Sequence, residues 1–298
     1  MGQKTVLVTG ATGGIGLETA RALAARNYRV LLHGRNPEKT AAAAAEIRTT
    51  DPDATLLTYA ADLADPAAVR ALATAVRADA PRLDVLINNA GVWNSHRELT
   101  PAGVEKTLAV NHLAYVQLSH LLLDRLRAAP AGRIICVASD SHRQISGMFF
   151  DDLTLAGNYH GLRSYAQSKL ANVLFCYEYE RRRPGPDYPA IYAVQPGLVQ
   201  TDIGLKGNTW LHRLAWRVRR RMSGNKTPAE GAATSVFLAT DPGVQDRSGR
   251  YWDDCAPKKS FSSSYDETEA ARLWEVTEGL LGIDFFGAPA AGASSSSR

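Results

Sequence analysis

The chain has 298 residues, 45% of them hydrophobic, and a formal net charge of +4 at pH 7. This length suits one large α/β domain or two small ones, and the small basic excess does not indicate a nucleic-acid-binding protein. No apolar run reaches the roughly 18 residues needed to span a bilayer, and a strand pattern by Thr5 leaves no room for a signal peptide, so we expect a cytoplasmic protein. Three cysteines without close pairing and seven scattered histidines indicate neither a disulfide framework nor a metal site.

Short apolar or β-branched runs alternate with longer helix-like stretches, which is typical of repeated βα units on a parallel sheet. Several runs are apolar throughout, as strands buried on both faces should be. The predicted strands are Val6–Thr9, Arg29–Gly34, Thr55–Ala60, Val85–Asn88, Arg133–Ala138, Ile191–Gln195 and Gly249–Trp252. The predicted helices begin near Gly14, Pro37, Pro66, Pro101, Arg163 and Pro228, and most of these starts are prolines.

This order predicts an α/β, doubly wound (Rossmann) fold, with a mostly parallel seven-stranded sheet and helices on both faces in three αβα layers. We expect a single domain over residues 1–286 and a disordered Ala-, Gly- and Ser-rich tail over 287–298. Two inserts, near 140–162 and 202–227, exceed ordinary connection lengths and follow strand ends. Doubly wound folds bind ligands at that edge, so we assign both inserts to the substrate.

A glycine-rich turn, Thr9-Gly-Ala-Thr-Gly-Gly-Ile-Gly16, stands between the first strand and the first helix. Glycines let the backbone approach a pyrophosphate, and the helix N-terminus offers free N–H groups and a partial positive charge. The spacing is GxxxGxG instead of the commoner GxGxxG, so the interpretation depends on the flanking strand and helix. The predicted dinucleotide contacts in this turn are Gly10, Thr12, Gly13, Gly14, Ile15 and Gly16.

The end of the second strand indicates which dinucleotide is bound. The segment Leu32-His33-Gly34-Arg35-Asn36 contains no carboxylate, and the first one to follow is Glu38. NAD-binding versions place an acidic residue here for the ribose 2′-hydroxyl, whereas an arginine accommodates a 2′-phosphate. We therefore favour NADP(H), bound by Arg35 and Asn36, and leave NAD(H) open. The alternative is that Arg35 is only a solvated charge.

Tyr165 and Lys169 are four residues apart in a helical stretch, so their side chains share one helix face. A tyrosine with a pKa of about 10 is a poor base at neutral pH, but a nearby ammonium favours the phenolate and makes proton exchange with a substrate oxygen feasible. A solvated surface helix can carry the same pair, so the assignment depends on the surrounding motifs.

Further motifs follow in a fixed order along the chain. They are Asp62-Leu63 after the third strand, Asn88-Asn-Ala-Gly91 after the fourth, Asn111 in the next helix, Ser139 at the fifth strand and Pro196-Gly-Leu-Val-Gln-Thr201 after the sixth. With the glycine turn, Tyr165 and Lys169, they make the chain resemble a short-chain dehydrogenase/reductase over nearly its whole length. The resemblance implies an NADP(H)-dependent oxidoreductase that transfers a hydride between nicotinamide and a carbonyl or alcohol.

The resemblance also implies roles for these residues. Tyr165 would be the general acid or base, Lys169 would lower its pKa and hold the nicotinamide ribose, and Ser139 would hydrogen-bond the substrate oxygen. Asn111 would hold a water that relays protons. The remaining cofactor contacts would be Asp62 and Leu63 at the adenine, Asn89, Ala90 and Gly91 at the adenosine ribose, and Pro196, Gly197, Val199 and Thr201 on the nicotinamide side.

Ser139 and Tyr165 are 26 residues apart, which is wider than usual in this family, so Ser141 is the alternative to Ser139. The wide spacing and the segment Tyr-Ala-Gln-Ser-Lys-Leu-Ala-Asn-Val-Leu-Phe resemble the retinol-dehydrogenase-like branch. Members of that branch often act on long apolar alcohols and aldehydes. Within the wider segment, His142 and His160 are either substrate contacts or ordinary polar loop residues.

The segment over 208–222 carries an apolar stripe with arginines elsewhere. It fits a lid over an apolar substrate, a plain surface helix, or a helix drawn to an anionic membrane surface. The resemblance implies a homo-oligomer, a dimer or tetramer, built through the Tyr165 helix and its successor.

Two other functions stay open at this point. A ketoreductase that tailors a secondary metabolite is suggested by the Ala- and Arg-rich composition. A non-catalytic NADP(H)-binding regulator is the alternative of another class, although such a protein has little reason to keep both Tyr165 and Lys169. Turnover of long-chain aldehydes, of cyclic ketones alone, or of no carbonyl would separate the three.

Overall fold

A central sheet organises the chain, whose computed structural model describes residues 2–197, 199 and 226–287. The strands of the described part are β1 Thr5–Thr9, β2 Arg29–Gly34, β3 Leu56–Ala60, β4 Val85–Asn88, β5 Arg133–Val137, β6 Ala190–Gln195, β7 Arg250–Asp253 and β8 Ala256–Pro257. Their order across the sheet is β3-β2-β1-β4-β5-β6-β7-β8. Neighbouring strands pair in parallel from β3 to β7, and β8 pairs with β7 in antiparallel fashion.

The predicted doubly wound, mostly parallel fold is confirmed, and each predicted strand lies within one residue of its observed bounds. The predicted count of seven strands is corrected to eight in the part of the chain that the structure describes. The added strand, β8, has two residues and follows β7 through a tight turn in which Asp254 and Cys255 both have positive φ. A two-residue edge strand that contains a proline has no pattern by which the sequence could indicate it.

Helices connect the strands. They are α1 Gly14–Ala24, α2 Pro37–Thr50, α3 Pro66–Asp79, α4 Lys106–Leu108, α5 Ala114–Leu121, α6 Leu123–Arg127, α7 Gly161–Arg182, α8 Pro228–Thr240 and α9 Glu267–Leu281. A π-helical turn, Ala109–Leu113, joins α4 to α5. The proline starts of α2, α3 and α8 each follow a residue whose side chain caps the helix, namely Asn36, Asp65 and Thr227. Within the described ranges, no helix has the length and apolar character to cross a membrane.

Two helix predictions need correction. The helix expected near Pro101 begins instead at Lys106, because Gly103 has a φ of 78° and its N–H bonds to the Thr100 carbonyl in a closed turn. The sequence pattern also gave no indication of α9. The remaining predicted starts lie within two residues of the observed ones.

Successive side chains on the inner strands enter two different cores, as strand geometry requires. Val6 and Val8 of β1 pack towards α1, α2 and α8, whereas Leu7 packs towards α3, α5 and α7. The predicted three αβα layers are therefore present.

The 140–162 insert packs against the helical layer. It contains the 3₁₀ turns Asp140–Gln144 and Phe150–Asp152. Ile145 and Met148 are buried in a cluster with residues of α7 and α9. Most of its apolar surface therefore supports the scaffold. Residues 202–225 of the second predicted insert (202–227), which include the segment over 208–222, and residues 288–298 of the predicted tail (287–298) lie outside the described residues.

The outer side of α7 is covered by α9. Trp274 stacks on Phe175 with ring centroids 5.7 Å apart, and Phe285 contacts both rings. Every residue of α7 from Ala166 to Tyr179 is buried within this one chain. That stretch offers no surface to a second copy, so the expected dimer or tetramer would need other surfaces than this part of the helix.

The contact of α9 with α7 gives a stability prediction. Trp274 is 5% exposed, and Trp274→Ala should lower the free energy of unfolding by about 3–5 kcal/mol through lost burial and a cavity. Leu280→Ala, in the same helix at a position that is 47% exposed, should cost less than about 0.5 kcal/mol. Urea unfolding followed by circular dichroism measures both, and equal losses would show that α9 does not depend on its buried face.

Candidate active site

The strand order places a crevice at the carboxyl ends of β1 and β4. Strands β2 and β3 follow β1 on one side of the sheet, and β4 lies beside β1 on the other side, where the order reverses. Ligands of doubly wound sheets bind at such a switch point. The glycine turn after β1 and the loop after β4 both lie here.

The glycine turn needs its glycines for two reasons. Gly10 and Gly14 have φ values of 68° and 56°, which favour glycine. A Cβ on Gly10 would lie 2.8 Å from the Ala90 Cα, and one on Gly16 would lie 2.3 Å from the Gly10 carbonyl oxygen. Side chains at these positions would separate the turn from β4.

A phosphate group fits the start of α1. Gly13 faces open space, because a Cβ there would meet no atom within 4 Å. Gly13 is also the N-cap of α1 and makes no side-chain cap. The first N–H groups of this helix are thus available to an anion at its positive end. The residues present therefore fit a dinucleotide pyrophosphate.

Thr12 and Ile15 make packing contacts on either side of the turn. The Thr12 methyl lies 2.4 Å from where a Cβ of Gly34 would be, so Gly34 leaves the room that Thr12 occupies. Ile15 lies beside Gly231 of α8, which also contacts Val199. The turn is therefore fixed against both β2 and α8.

The segment after β6 is described only in part. Pro196 follows the strand, Gly197 has a φ of 87°, and Val199 forms an isolated parallel bridge with Lys226. The Lys226 side chain packs where a Cβ of Gly197 would be. Thr201 lies outside the described residues.

The loop after β4 braces the glycine turn. The Asn89 amide nitrogen donates to the carbonyl oxygens of Thr9 and Gly10, at 2.8 and 3.4 Å. The backbone N–H groups of Asn89 and Ala90 both donate to the Thr9 hydroxyl. Asn89 and Ala90 thus act on the turn through the protein, and Gly91 follows them in a half-buried position.

His33 supports the same turn, although no sequence motif indicated a role for it. Its Nδ1 accepts from the Gly10 N–H at 3.4 Å, and its Nε2 donates to the Ala61 carbonyl at 3.1 Å. Burial lowers the pKa of His33 to about 4, so the ring is neutral and can accept at Nδ1. A histidine inside an otherwise apolar strand was the available signal.

The predicted adenosine-side residues differ in what they offer. Arg35 follows β2, is exposed and forms no ion pair with a described residue. The Asn36 side-chain amide oxygen caps α2 by accepting from the Lys39 N–H, and an Asp62 side-chain oxygen accepts from the Ala64 N–H. Leu63 is buried in the core. Arg35 is therefore the predicted residue on this side whose charge is free for a ligand.

Ser139, Tyr165 and Lys169 come together at the carboxyl end of β5. The Ser139 hydroxyl lies close enough to the Tyr165 phenol to lower its pKa, across the wide sequence separation. The Lys169 amine donates to the Val137 carbonyl at 2.7 Å and lies 5.4 Å from the Tyr165 ring centroid. The Ser141 hydroxyl is 3.1 Å from that of Ser139. It is Ser139 that reaches Tyr165.

Burial dominates the electrostatics of this pair. It raises the pKa of Tyr165 to about 12, against a smaller lowering by the Ser139 hydrogen bond. It also lowers the pKa of Lys169 to about 7. The expected lowering of the Tyr165 pKa by Lys169 is not found in the protein alone, because a low dielectric penalises both charged forms. In the same low dielectric, any charge added by a ligand acts strongly on both groups.

Asn111 lies in the π-helical turn and its side chain clamps the β4 loop. Its amide oxygen accepts from the Val92 N–H at 2.8 Å, and its amide nitrogen donates to the Val92 carbonyl and the Ser168 hydroxyl, both at 3.0 Å. The side chain therefore joins the loop to α7. The role of Asn111 in a water relay stays a prediction.

His142 holds the backbone of Ser139. Its Nε2 accepts from the Phe261 N–H at 3.0 Å, so Nδ1 carries the proton and donates to the Ser139 carbonyl at 2.6 Å. Burial lowers the pKa of His142, which favours this neutral form. The ring is fully buried. Of the two readings of His142, the structure supports a residue that fixes the loop.

Comparison with known proteins shows what the whole chain is similar to. A family model described as short chain dehydrogenase matches residues 4–151. Retinol dehydrogenase 14 of Mus musculus is 36% identical over 296 residues, which cover 94% of this chain and 86% of that protein. A putative uncharacterized protein from Mycobacterium paratuberculosis has a TM-score of 0.74 at 29% identity, with 95% of each chain covered. A 3-oxoacyl (acyl-carrier-protein) reductase from Agrobacterium tumefaciens with NADP bound has a TM-score of 0.66 at 27% identity, covering 83% of this chain and 91% of its own.

The buried His33 predicts a pH dependence of stability. Its pKa of about 4 in the folded chain lies below the value of about 6.5 expected in the unfolded chain, so the unfolded chain binds more protons between these pH values. Stability present above pH 6.5 is therefore lost as the pH falls, on the order of 2 kcal/mol from this group between pH 7 and pH 5.

Urea unfolding at pH 7 and pH 5 measures this loss. His33→Gln should show a smaller loss than the wild type by about that amount. The control His96→Gln, which replaces an exposed histidine, should keep the wild-type pH dependence. A His33→Gln variant with the full wild-type loss would contradict the role of His33.

Proposed function

The chain belongs to the short-chain dehydrogenase family, in its retinol-dehydrogenase-like branch, and is a hydride-transferring oxidoreductase; from this premise we propose that it uses NADP(H) and acts on an apolar carbonyl or alcohol. The proposal rests foremost on the convergence of Ser139, Tyr165 and Lys169 beside a crevice whose glycine turn fits a pyrophosphate. Within the described ranges, no other group of residues singled out in the sequence converges in this way.

Ser139 and Tyr165 have complementary tasks in this proposal. Both hydroxyls donate to the substrate oxygen, where negative charge develops when a carbonyl is reduced. Tyr165 then gives its proton to that oxygen, and in the reverse direction it takes the proton from the alcohol. The nicotinamide, when bound, supplies or accepts the hydride at the substrate carbon. A phenol with a pKa raised by burial is held as the proton donor at neutral pH.

Lys169 completes the site by supplying positive charge. Its amine, with a pKa near neutrality, can hold a proton beside Tyr165 and return it after each turnover. Asn111 would hold the water through which that proton reaches solvent. Lys169 would also bind the nicotinamide ribose.

NADP(H) is proposed on the strength of Arg35. This exposed arginine stands at the end of β2 without an ionic partner among the described residues, where a 2′-phosphate would lie. The similar Agrobacterium tumefaciens reductase has NADP bound. The pyrophosphate would rest on the N-terminus of α1, with the loop after β4 behind it.

Two observations support an apolar substrate: the similarity to retinol dehydrogenases and an exposed leucine near Tyr165. Leu162 lies one helical turn before Tyr165 and is 41% exposed, so it offers apolar surface close to the proposed proton donor. Similar proteins are named retinol dehydrogenases, and retinol is a long apolar alcohol. We therefore place long-chain primary alcohols and their aldehydes first.

A panel of carbonyl substrates tests this choice. Purified protein with NADPH should reduce retinal and long-chain aldehydes with kcat/KM at least about tenfold above that for short polar aldehydes, because apolar surface is buried on binding. Activity on cyclic ketones alone would favour the ketoreductase instead. Cofactor binding without turnover of any carbonyl would favour the regulator.

Tyr165→Phe tests the proton donor. Turnover should fall by about 10³-fold or more, while NADPH affinity stays within about threefold, because only the hydroxyl is lost. Stopped-flow or steady-state loss of NADPH absorbance gives the rate, and nicotinamide fluorescence gives the affinity. The control Tyr188→Phe removes a hydroxyl far from the crevice and should keep wild-type turnover. Undiminished turnover of Tyr165→Phe would refute the mechanism.

Arg35→Ala tests the cofactor. Losing a charge-assisted contact with the 2′-phosphate should raise the Kd for NADPH by about 10- to 100-fold and leave that for NADH nearly unchanged. Arg26→Ala, which removes an exposed arginine at the other end of α1, is the control and should change neither value. Fluorescence titration gives both constants. Equal weakening of both cofactors, or tighter NADH than NADPH binding by the wild type, would contradict NADP(H) specificity.

A further inference from the structure

A buried asparagine that the mechanism does not use lies beside Lys169. Asn172 is one helical turn after Lys169 on α7 and is fully buried. Its amide nitrogen donates to the Asn111 carbonyl at 2.9 Å and to the Val137 carbonyl at 3.4 Å. The Val137 carbonyl is also the acceptor of the Lys169 amine. One amide group thus joins β5, the π-helical turn and α7 at the lysine.

The orientation of this amide is determined by its surroundings. If it were turned over, its oxygen would face the two carbonyl oxygens of Asn111 and Val137, which is repulsive. The Asn172 oxygen therefore points to His112, whose Nδ1 is 3.2 Å away and must carry the proton. His112 Nε2 then accepts from the Thr277 hydroxyl at 3.1 Å. Burial lowers the pKa of His112 to about 4, so the ring is neutral as this arrangement needs.

The hydrogen bonds of Asn172, His112 and Thr277 connect the π-helical turn to α9 through the protein interior. Asn172 and His112 are at most 1% exposed, and Thr277 is 3% exposed. The space beside His112 is a cavity of about 10 Å³ among mainly apolar side chains, which leaves room for no more than one water. A buried polar group without its partner is costly, so each member holds the next in place.

We propose that Asn172 is a positioning residue for Lys169. Its amide nitrogen holds the Asn111 and Val137 carbonyls and thereby sets where the lysine amine lies. His112 and Thr277 connect the Asn172 side chain to α9. This inference rests on the proposed function of Lys169. Asn172 touches neither substrate nor cofactor in this arrangement and acts through the two carbonyl groups.

A change at Asn172 should reach the lysine charge. The Val137 carbonyl oxygen accepts from both Lys169 and Asn172. Without the Asn172 amide it accepts from the Lys169 amine alone, which favours the ammonium form and raises the pKa of Lys169. The other titratable groups that face Lys169 are Tyr165 on the same helix, Tyr115 on α5 and Cys136 on β5. None of these is altered by a substitution of Asn172.

The test combines Asn172→Leu with a direct titration of Lys169. In protein labelled with ¹³C-lysine, the Lys169 Cε signal is assigned by its loss in Lys169→Met and followed against pH. Asn172→Leu should raise its midpoint by about one pH unit. It should also lower kcat by about tenfold or more, with the substrate KM within about threefold, because the reacting groups are displaced while the substrate surface is kept.

Gln117→Leu is the matched control. Gln117 is a buried amide on α5 that donates to the Pro66 carbonyl, far from the lysine. The same kind of change there should leave both the Lys169 midpoint and kcat as in the wild type. An Asn172→Leu variant with the wild-type midpoint and kcat within about twofold would overturn the proposal.

Two variants of His112 keep the proposal testable if Asn172→Leu does not fold. His112→Asn can still donate to the Asn172 oxygen and should keep the wild-type titration, whereas His112→Phe cannot and should shift it. Identical titrations in the two variants would overturn the link through His112. The titration needs no turnover, so a protein that reduces no carbonyl but shows the Asn172→Leu shift would refute the proposed function and leave the positioning role standing.

Discussion

The burial of Lys169 is the constraint on which the site depends. Its amine lies in the interior, held by a single backbone carbonyl at 2.7 Å, with the Tyr165 ring above it. Burying an amine and a phenol together makes either charge expensive, which raises one pKa to about 12 and lowers the other to about 7. The protein therefore holds the phenol neutral and the lysine close to its titration point. A site in this state can donate a proton and recover it with little change in the surrounding structure.

Neutral, buried histidines hold the backbone and side chains around this site through hydrogen bonds. His33 holds the glycine turn, His142 holds the Ser139 carbonyl and His112 orients Asn172. Burial lowers the pKa of each ring, so each donates at one nitrogen and accepts at the other. Such a ring, with one donor and one acceptor, joins two separate segments of the chain with fixed polarity. The catalytic geometry is thus fixed by polar groups inside the scaffold.

Much of the fold could be predicted from the sequence because its signals are local. The apolar runs of β4 and β5 and the capped proline starts of α2 and α3 each specify their own conformation. The glycine turn could be recognised from its spacing together with the flanking strand and helix, and the pair of Tyr165 and Lys169 from its spacing together with the surrounding motifs. The strand β8, the π-helical turn around Asn111 and the support given by His33 depend on contacts between distant segments. Contacts of this kind leave no hydrophobic periodicity in the sequence from which they could be predicted. The insert after β5 was assigned to the substrate by its position, whereas its apolar side chains pack on α7 and α9.

Tyrosinate formation measures the central claim most directly. Ultraviolet difference spectra of the wild type against Tyr165→Phe isolate the signal of this one phenol. Without cofactor, Tyr165 should stay neutral up to about pH 10, because burial holds its pKa near 12. With NADP⁺ bound, the positive charge of the nicotinamide ring near Tyr165 should lower the pKa of the phenol, so the tyrosinate signal should form at a lower pH. An unchanged titration with NADP⁺ bound would contradict a proton exchange governed by charge in this buried site.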